Sequence, residues 1–172
     1  MIEFTENREQ IISLWCTVFA EDSREDAAFF LDNKKNISCL GYFENNRLVS
    51  MLFLADCVYG ALKGKYVYAV CTYKAHRGRG YSSALLKEAK KFMQDFLWLI
   101  PANDSLFDFY KKAGFETKLF SNGVFENKIC FDETDNIIEY LYSGSAYAFP
   151  KGMVYCEKDF PVGSTGLERK RG

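Results

Sequence analysis

A single histidine, His76, stands among 172 residues, and the six cysteines (Cys16, Cys39, Cys57, Cys71, Cys130, Cys156) include no CxxC pair. No partner sits at ligand spacing from either residue type, which argues against a metal site. Charge of one sign is lacking too. Twenty-two Lys and Arg against 23 Asp and Glu leave a formal net charge of -1, so the chain as a whole carries no electrostatic footprint for nucleic acid. Apolar runs such as VSMLFLA stop well short of the roughly 20 residues that span a bilayer. The opening MIEFTENREQ has neither a basic n-region nor an apolar h-region. These absences predict a reduced, cytoplasmic compartment with no nucleic-acid and no membrane partner, and they require any anion site to be local.

What is present is apolar and aromatic: 48% hydrophobic and 17% aromatic residues, enough for one packed core in a chain of this length. A single domain over 1–160 is expected, with PVGSTGLERKRG, 161–172, as a flexible tail. After a short strand at 2–5, Ile11, Ile12, Leu14, Trp15, Val18 and Phe19 fall at helical spacing. Ser23 and Asp26 have the form of a capping box opening a second helix, with Ala27, Phe30 and Leu31 on its apolar stripe. ISCLGYF and RLVSMLFLADCVY, separated by Glu44, Asn45 and Asn46, carry a hairpin signal. A second turn around Gly60 to Lys65 leads into YVYAVCTY, apolar on both alternations as in a strand covered on both faces. Three consecutive antiparallel strands are the economical reading.

Tyr81, Ala84, Leu85, Ala89 and Phe92 then repeat at helical spacing, with Lys87, Lys90 and Lys91 as solvent-facing charges. FLWLI, 96–100, reads as a short buried strand, so strand, helix and strand in succession predict a parallel crossover. Ser105 with Asp108 predicts another capping box and Gly114 a helix stop, with Leu106, Phe109, Tyr110 and Ala113 on one face. Beyond residue 116 the runs KLF, KICF, IIEYLY and MVYC are strand-like, separated by Asn-Gly and Ser-Gly turns.

Between the third of these strands and the helix after Gly80 lies AHRGRGYSSALL, 75–86. Successive backbone N–H groups opening onto a helix N-terminus accept phosphate, and glycine lets the anion approach the backbone. A Walker loop needs GK followed by Ser or Thr, whereas Gly80 precedes Tyr81 and Ser82. A dinucleotide fingerprint needs a third glycine, where Ser83 stands, and a place near the first strand. The remaining pattern, RGRGYS after a hydrophobic strand, resembles the pyrophosphate signature [QR]xxGx[GA] of the GCN5-related N-acetyltransferases. Arg77 and Gly80 match it, and Ser82 occupies the final small position. LIPANDSLFDFYKKAGFE resembles that family's second motif through Asn103 and Phe109-Tyr110-Lys-Lys-Ala-Gly114-Phe115. The likeness in element order covers roughly residues 2 to 117.

The resemblance implies an α/β (α+β) fold: a central mixed, mostly antiparallel, twisted sheet flanked by helices, with the parallel strand-helix-strand crossover at the cofactor site. It also implies acetyl transfer from acetyl-CoA, as cosubstrate, to an amine acceptor of unidentified kind, in a monomer or homodimer. Backbone groups of Val70, Cys71 and Thr72 would pair with the pantetheine arm. The N–H groups of Gly78, Arg79, Gly80, Tyr81, Ser82 and Ser83 would take the pyrophosphate, with Arg77 and Arg79 adding charge. Asn103 and Ser105 would flank the pantetheine, and Tyr110 matches the tyrosine whose hydroxyl lies near the thioester sulfur.

Such a reaction needs a neutral amine, yet alkyl amines with pKa near ~10 are neutral in only about one molecule per thousand at pH 7. Tyr66 to Tyr73 contains no acid to serve as base, so Glu21, Asp22, Asp56 and a bound water are the candidates. His76 reads as a solvated loop residue. A non-catalytic acyl-CoA-binding module with the same fold remains the alternative.

Overall fold

Asn7 and Ser23 start the N-terminal helices. In the computed structural model, which describes residues 1–121, 125–131 and 151–166, the Asn7 side chain accepts from the Gln10 N–H at the head of α1 (Arg8–Val18). Ser23 and Asp26 form the expected reciprocal box at the head of α2 (Arg24–Asn33). Where one domain over 1–160 is expected, contacts gather in two compact units: Met1–Ala55 with Val67–Phe92, and Asp56–Tyr66 with Met93–Gly172.

The first unit holds β1 (Ile2–Thr5), β2 (Ile37–Glu44), most of β3 (Arg47–Tyr59) and the end of β4 (Leu62–Thr72), neighbours in that order. The β1–β2 and β2–β3 pairs are antiparallel. Asn45 and Asn46 take left-handed φ values of 48° and 65°, so two residues suffice for a turn whose twist suits the strands. Glu44 therefore ends β2 instead of sitting in the turn. Leu48 to Ala55 is buried without alternation, which requires cover on both faces of β3. Trp15 of α1 and Phe30 of α2 supply part of it, their rings 5.6 Å and 5.1 Å from Phe53, and the Trp15 indole N–H donates to Asp22 at 2.8 Å. Helix α3 (Tyr81–Ala89) buries Leu85, Leu86 and Ala89 and packs against β2. Phe92, expected on this helix's stripe, lies beyond its end, exposed and edge-on to Phe4 at 4.8 Å.

In the second unit the start of β4 runs parallel to β5 (Phe96–Leu99), as the crossover requires, pairing Gly64 to Tyr66 with Phe96 to Trp98. The end of β3 pairs with β7 (Ile129–Phe131). The strand β8 (Lys151–Cys156) is antiparallel to both β5 and β6 (Glu116–Phe120), and β6 is parallel to β9 (Gly163–Ser164). The sheet is thus mixed and mostly antiparallel, flanked by helices. Among the described residues no helix is long and apolar enough to cross a membrane.

Three expectations are corrected here. The second turn is only Gly60 and Ala61, and β4 begins at Leu62, ahead of YVYAVCTY. Its polar start hides the strand from a hydrophobicity reading: Lys65 pairs with Asp56, the Lys63 N–H reaches Asp95, and a Cβ at Gly64 would meet Phe96 at 2.6 Å. The Ser105–Asp108 box does not form, because Ser105 lies inside a 3-10 turn (Asp104–Leu106) and its hydroxyl donates to Asn103. Helix α4 (Phe107–Lys112) follows without a side-chain cap, and Gly114, at φ 95°, stops it as expected. Residues 161–166, read as flexible tail, instead contain β9. Thr165 is fully buried there, and Phe160 stacks on Tyr59, whose hydroxyl donates to the Pro161 carbonyl. IIEYLY, the turns at 122–123 and 143–144, and the tail from 167 on lie outside the described residues.

Candidate functional site

After β4 the chain makes a 3-10 turn (Lys74–His76) and then the glycine pair. Gly78 and Gly80 sit at φ 77° and 79°, and a Cβ built on either meets nothing within 4 Å. Glycine is demanded by the left-handed backbone, and the ground around both residues is open. Gly80 is also the N-cap of α3, where no side chain caps the helix. The amides of Tyr81, Ser82 and Ser83, at the first three helical positions, have no intrahelical acceptor. Together with the positive end of the helix dipole they form a place for an anion.

The arginines do not stand free beside it. Arg77 donates through Nε to the Thr72 carbonyl at 3.2 Å, and Arg79 Nη1 lies 3.6 Å from Glu44. The charge expected from these residues is partly engaged within the fold. His76 is likewise no solvated loop residue. Its side chain is 17% exposed, Nε2 lies 3.2 Å from Glu44, and Nδ1 is buried without a partner. The 3-10 turn tucks the ring against the end of β2. Tyr81 stacks on Tyr42, ring centroids 4.1 Å apart.

Ser82 stands where the resemblance calls for Gly or Ala, and hydrogen bonding accounts for it. Ser50 Oγ donates to the Cys71 carbonyl at 3.1 Å and lies 2.7 Å from Thr72 Oγ1, which lies 3.1 Å from Ser82 Oγ. A hydroxyl has one proton. Ser50 uses its own on Cys71, so Thr72 must donate to Ser50 and Ser82 must donate to Thr72. The Ser82 hydroxyl therefore points inward and leaves only its backbone N–H for an anion, as glycine or alanine would. Ser50 escaped the sequence reading; its signal is a lone hydroxyl inside the apolar run VSMLFLA, now fully buried. Thr72→Val keeps the shape and breaks the chain in the middle, leaving a buried oxygen short of a donor. A stability loss of about 1–3 kcal/mol is expected in urea unfolding.

The end of β4 carries one further irregularity. Ala69 has φ 53°, a conformation costing an L-residue roughly 1–2 kcal/mol, and it interrupts the pleat just before Val70, Cys71 and Thr72. Burial pushes the Cys71 thiol well above its usual range, so this cysteine is inert. All six cysteines are free.

Thus Val70 to Thr72 and Arg77 to Ser83 come together in the first unit, through the Arg77–Thr72 and Ser82–Thr72 bonds. Asn103, Ser105 and Tyr110 belong to the second. Tyr110 is 6% exposed on α4, and burial pushes its phenol up to about 12. Two candidate bases have structural partners: Asp22 accepts from Trp15, and Asp56 pairs with Lys65. Glu21 is exposed. Among the described residues no cluster of His, Cys, Asp and Glu can hold a metal ion.

Residues 5–118 match the family model of the acetyltransferase (GNAT) domain. No curated protein matches the sequence. Among solved structures, an aminoglycoside 6'-N-acetyltransferase from Enterococcus faecium is similar at 12% identity and a TM-score of 0.64, over 94% of this chain and 99% of that one. A Bacillus subtilis acetyltransferase in complex with CoA is similar at 12% identity and 0.58, over 90% and 97%. A probable N-acyltransferase from Enterococcus faecalis V583 is similar at 18% and 0.55, over 70% of this chain but only 33% of its own length. At these identities the likeness is one of fold.

Proposed function

Because the chain belongs to the acetyltransferase (GNAT) domain family, we propose that it transfers an acetyl group from acetyl-CoA to a primary amine of a small molecule or protein, by direct attack in a ternary complex. The observation that carries this reading is the pair of left-handed glycines opening onto the uncapped head of α3. There the amides from Gly78 to Ser83 hold the pyrophosphate, and Val70 to Thr72 pair with the pantetheine arm. A backbone N–H of that strand end polarises the thioester carbonyl, and the Tyr110 phenol hydrogen-bonds the departing sulfur. Much of the acceleration comes from holding amine and thioester together.

The CoA bound by the Bacillus subtilis neighbour supports the cosubstrate, and the aminoglycoside enzyme supports a small-molecule amine as acceptor. Calorimetric titration with acetyl-CoA, followed by thiol release across a panel of amines, tests the proposal. Saturable binding with amine-dependent thiol release is expected. Binding without turnover on any amine would assign the chain to the acyl-CoA-binding modules, and absence of binding would reject both.

A further inference from the structure

The glycine turn has little of its own to hold its shape. No atom within 4 Å awaits a side chain at Gly78 or Gly80, and glycines give up more backbone freedom on ordering than any other residue. Backbone bonds close its two ends, the Arg77 N–H to the Lys74 carbonyl at 3.3 Å and the Ala84 N–H to the Gly80 carbonyl at 2.9 Å, and side-chain ties add to these. Arg77 supplies one tie, to the Thr72 carbonyl at its root. The others converge on the end of β2. The Glu44 carboxylate lies 3.2 Å from His76 Nε2 through Oε2 and 3.6 Å from Arg79 Nη1 through Oε1. One carboxylate thus grips the residues on either side of Arg77 and Gly78. Two positions earlier on the same strand, Tyr42 stacks on Tyr81 at the head of α3.

From this geometry we infer that Glu44 is a positioning residue for the anion-binding turn: by bridging His76 and Arg79 it holds the Gly78 and Gly80 amides in their receiving orientation before any ligand arrives. This rests on the proposed binding of acetyl-CoA at the turn. The carboxylate is 31% exposed at the end of a strand, so replacing it leaves the core intact. Its charge also opposes an incoming anion, but ordering of the turn outweighs that repulsion. An ordered backbone residue loses about 1–2 kcal/mol of conformational freedom, and several residues are held here. The Arg79 guanidinium, 3.6 Å away, offsets part of its field.

Two measurements on Glu44→Ala and Glu44→Gln decide it. The first is the order of the Gly78 to Ser83 amides by heteronuclear NOE in ligand-free protein; the second is the Kd for acetyl-CoA by calorimetry. Glu44→Ala is expected to lower the amide order and raise Kd about tenfold. Glu44→Gln keeps an acceptor for His76 and is expected to retain the order and stay within about threefold of the parent Kd. Unchanged amide order in Glu44→Ala, or a Kd that is unchanged or lower in it, would overturn the inference. If the parent protein itself fails to bind acetyl-CoA, the functional reading falls, and the ligand-free NOE alone still decides whether Glu44 orders the turn.

Discussion

Gly80→Glu is expected to abolish acetyl-CoA binding, with at least a roughly hundredfold rise in Kd by calorimetry. Two effects act together. At φ 79° any side chain strains the backbone, by roughly 1–3 kcal/mol, and a carboxylate here sits where the helix head and its free amides would receive phosphate. Like charges in that position repel at short range. Because a Cβ at residue 80 meets nothing within 4 Å, the loss is not steric, and the variant should fold. Gly80→Ala separates the two effects, paying the strain without the charge, and is expected to keep affinity within about tenfold. Undiminished affinity in Gly80→Glu would remove this turn from cofactor binding.

Tyr110→Phe is the second large effect, and it falls on turnover. Burial holds the phenol up to about 12, roughly 3.5 units above an ordinary thiol, a gap of about 5 kcal/mol against full proton transfer to the departing sulfur. In the proposed reaction the phenol would therefore act by donating a hydrogen bond to developing thiolate charge, worth about 1.5–3 kcal/mol. A fall in kcat of roughly ten- to a hundredfold is expected, with Kd for acetyl-CoA moved less than about threefold; an unchanged kcat would remove the role. The raised value has a stability consequence as well. Folding favours the neutral phenol, so its contribution is intact below the ordinary tyrosine range near ~10 and is lost as pH rises toward about 12. The phenylalanine variant should lose less stability than the parent over that alkaline interval, as judged by urea unfolding at each pH.

Local signals were the readable part of this sequence. Ser23 with Asp26, the Asn45-Asn46 turn and Gly114 are each governed by a few neighbouring residues, and each does what its chemistry demands. The glycine turn belongs with them, since positive φ at Gly78 and Gly80 is a property of the residue type. The start of β4 was illegible because its strand character comes from partners distant in sequence, Asp95 and Phe96, while its own residues are Lys, Gly and Lys. Ser105 differs for the converse reason: its hydroxyl, two residues before the start of α4, is taken by the neighbouring Asn103 side chain. His76, Arg79 and Glu44 could not be joined on paper, because a two-residue turn had to end β2 at Glu44 before its carboxylate could reach across. The Ser50–Thr72–Ser82 chain likewise needs the alignment of β3, β4 and α3 before three separate hydroxyls become one path.

The two compact units are interleaved along the chain: the first is completed only by Val67–Phe92, after Asp56–Tyr66 of the second has already been laid down. No single cut separates the two units: one after Phe92 leaves the first still carrying Asp56–Tyr66 and strips that segment from the second. During synthesis the first unit must wait for residue 92 to leave the ribosome while a strand segment of its neighbour trails between its two pieces. Unlike a chain of successive domains, which can fold one at a time as each emerges, this one completes its first unit only after a segment of the second has been synthesised between its two pieces.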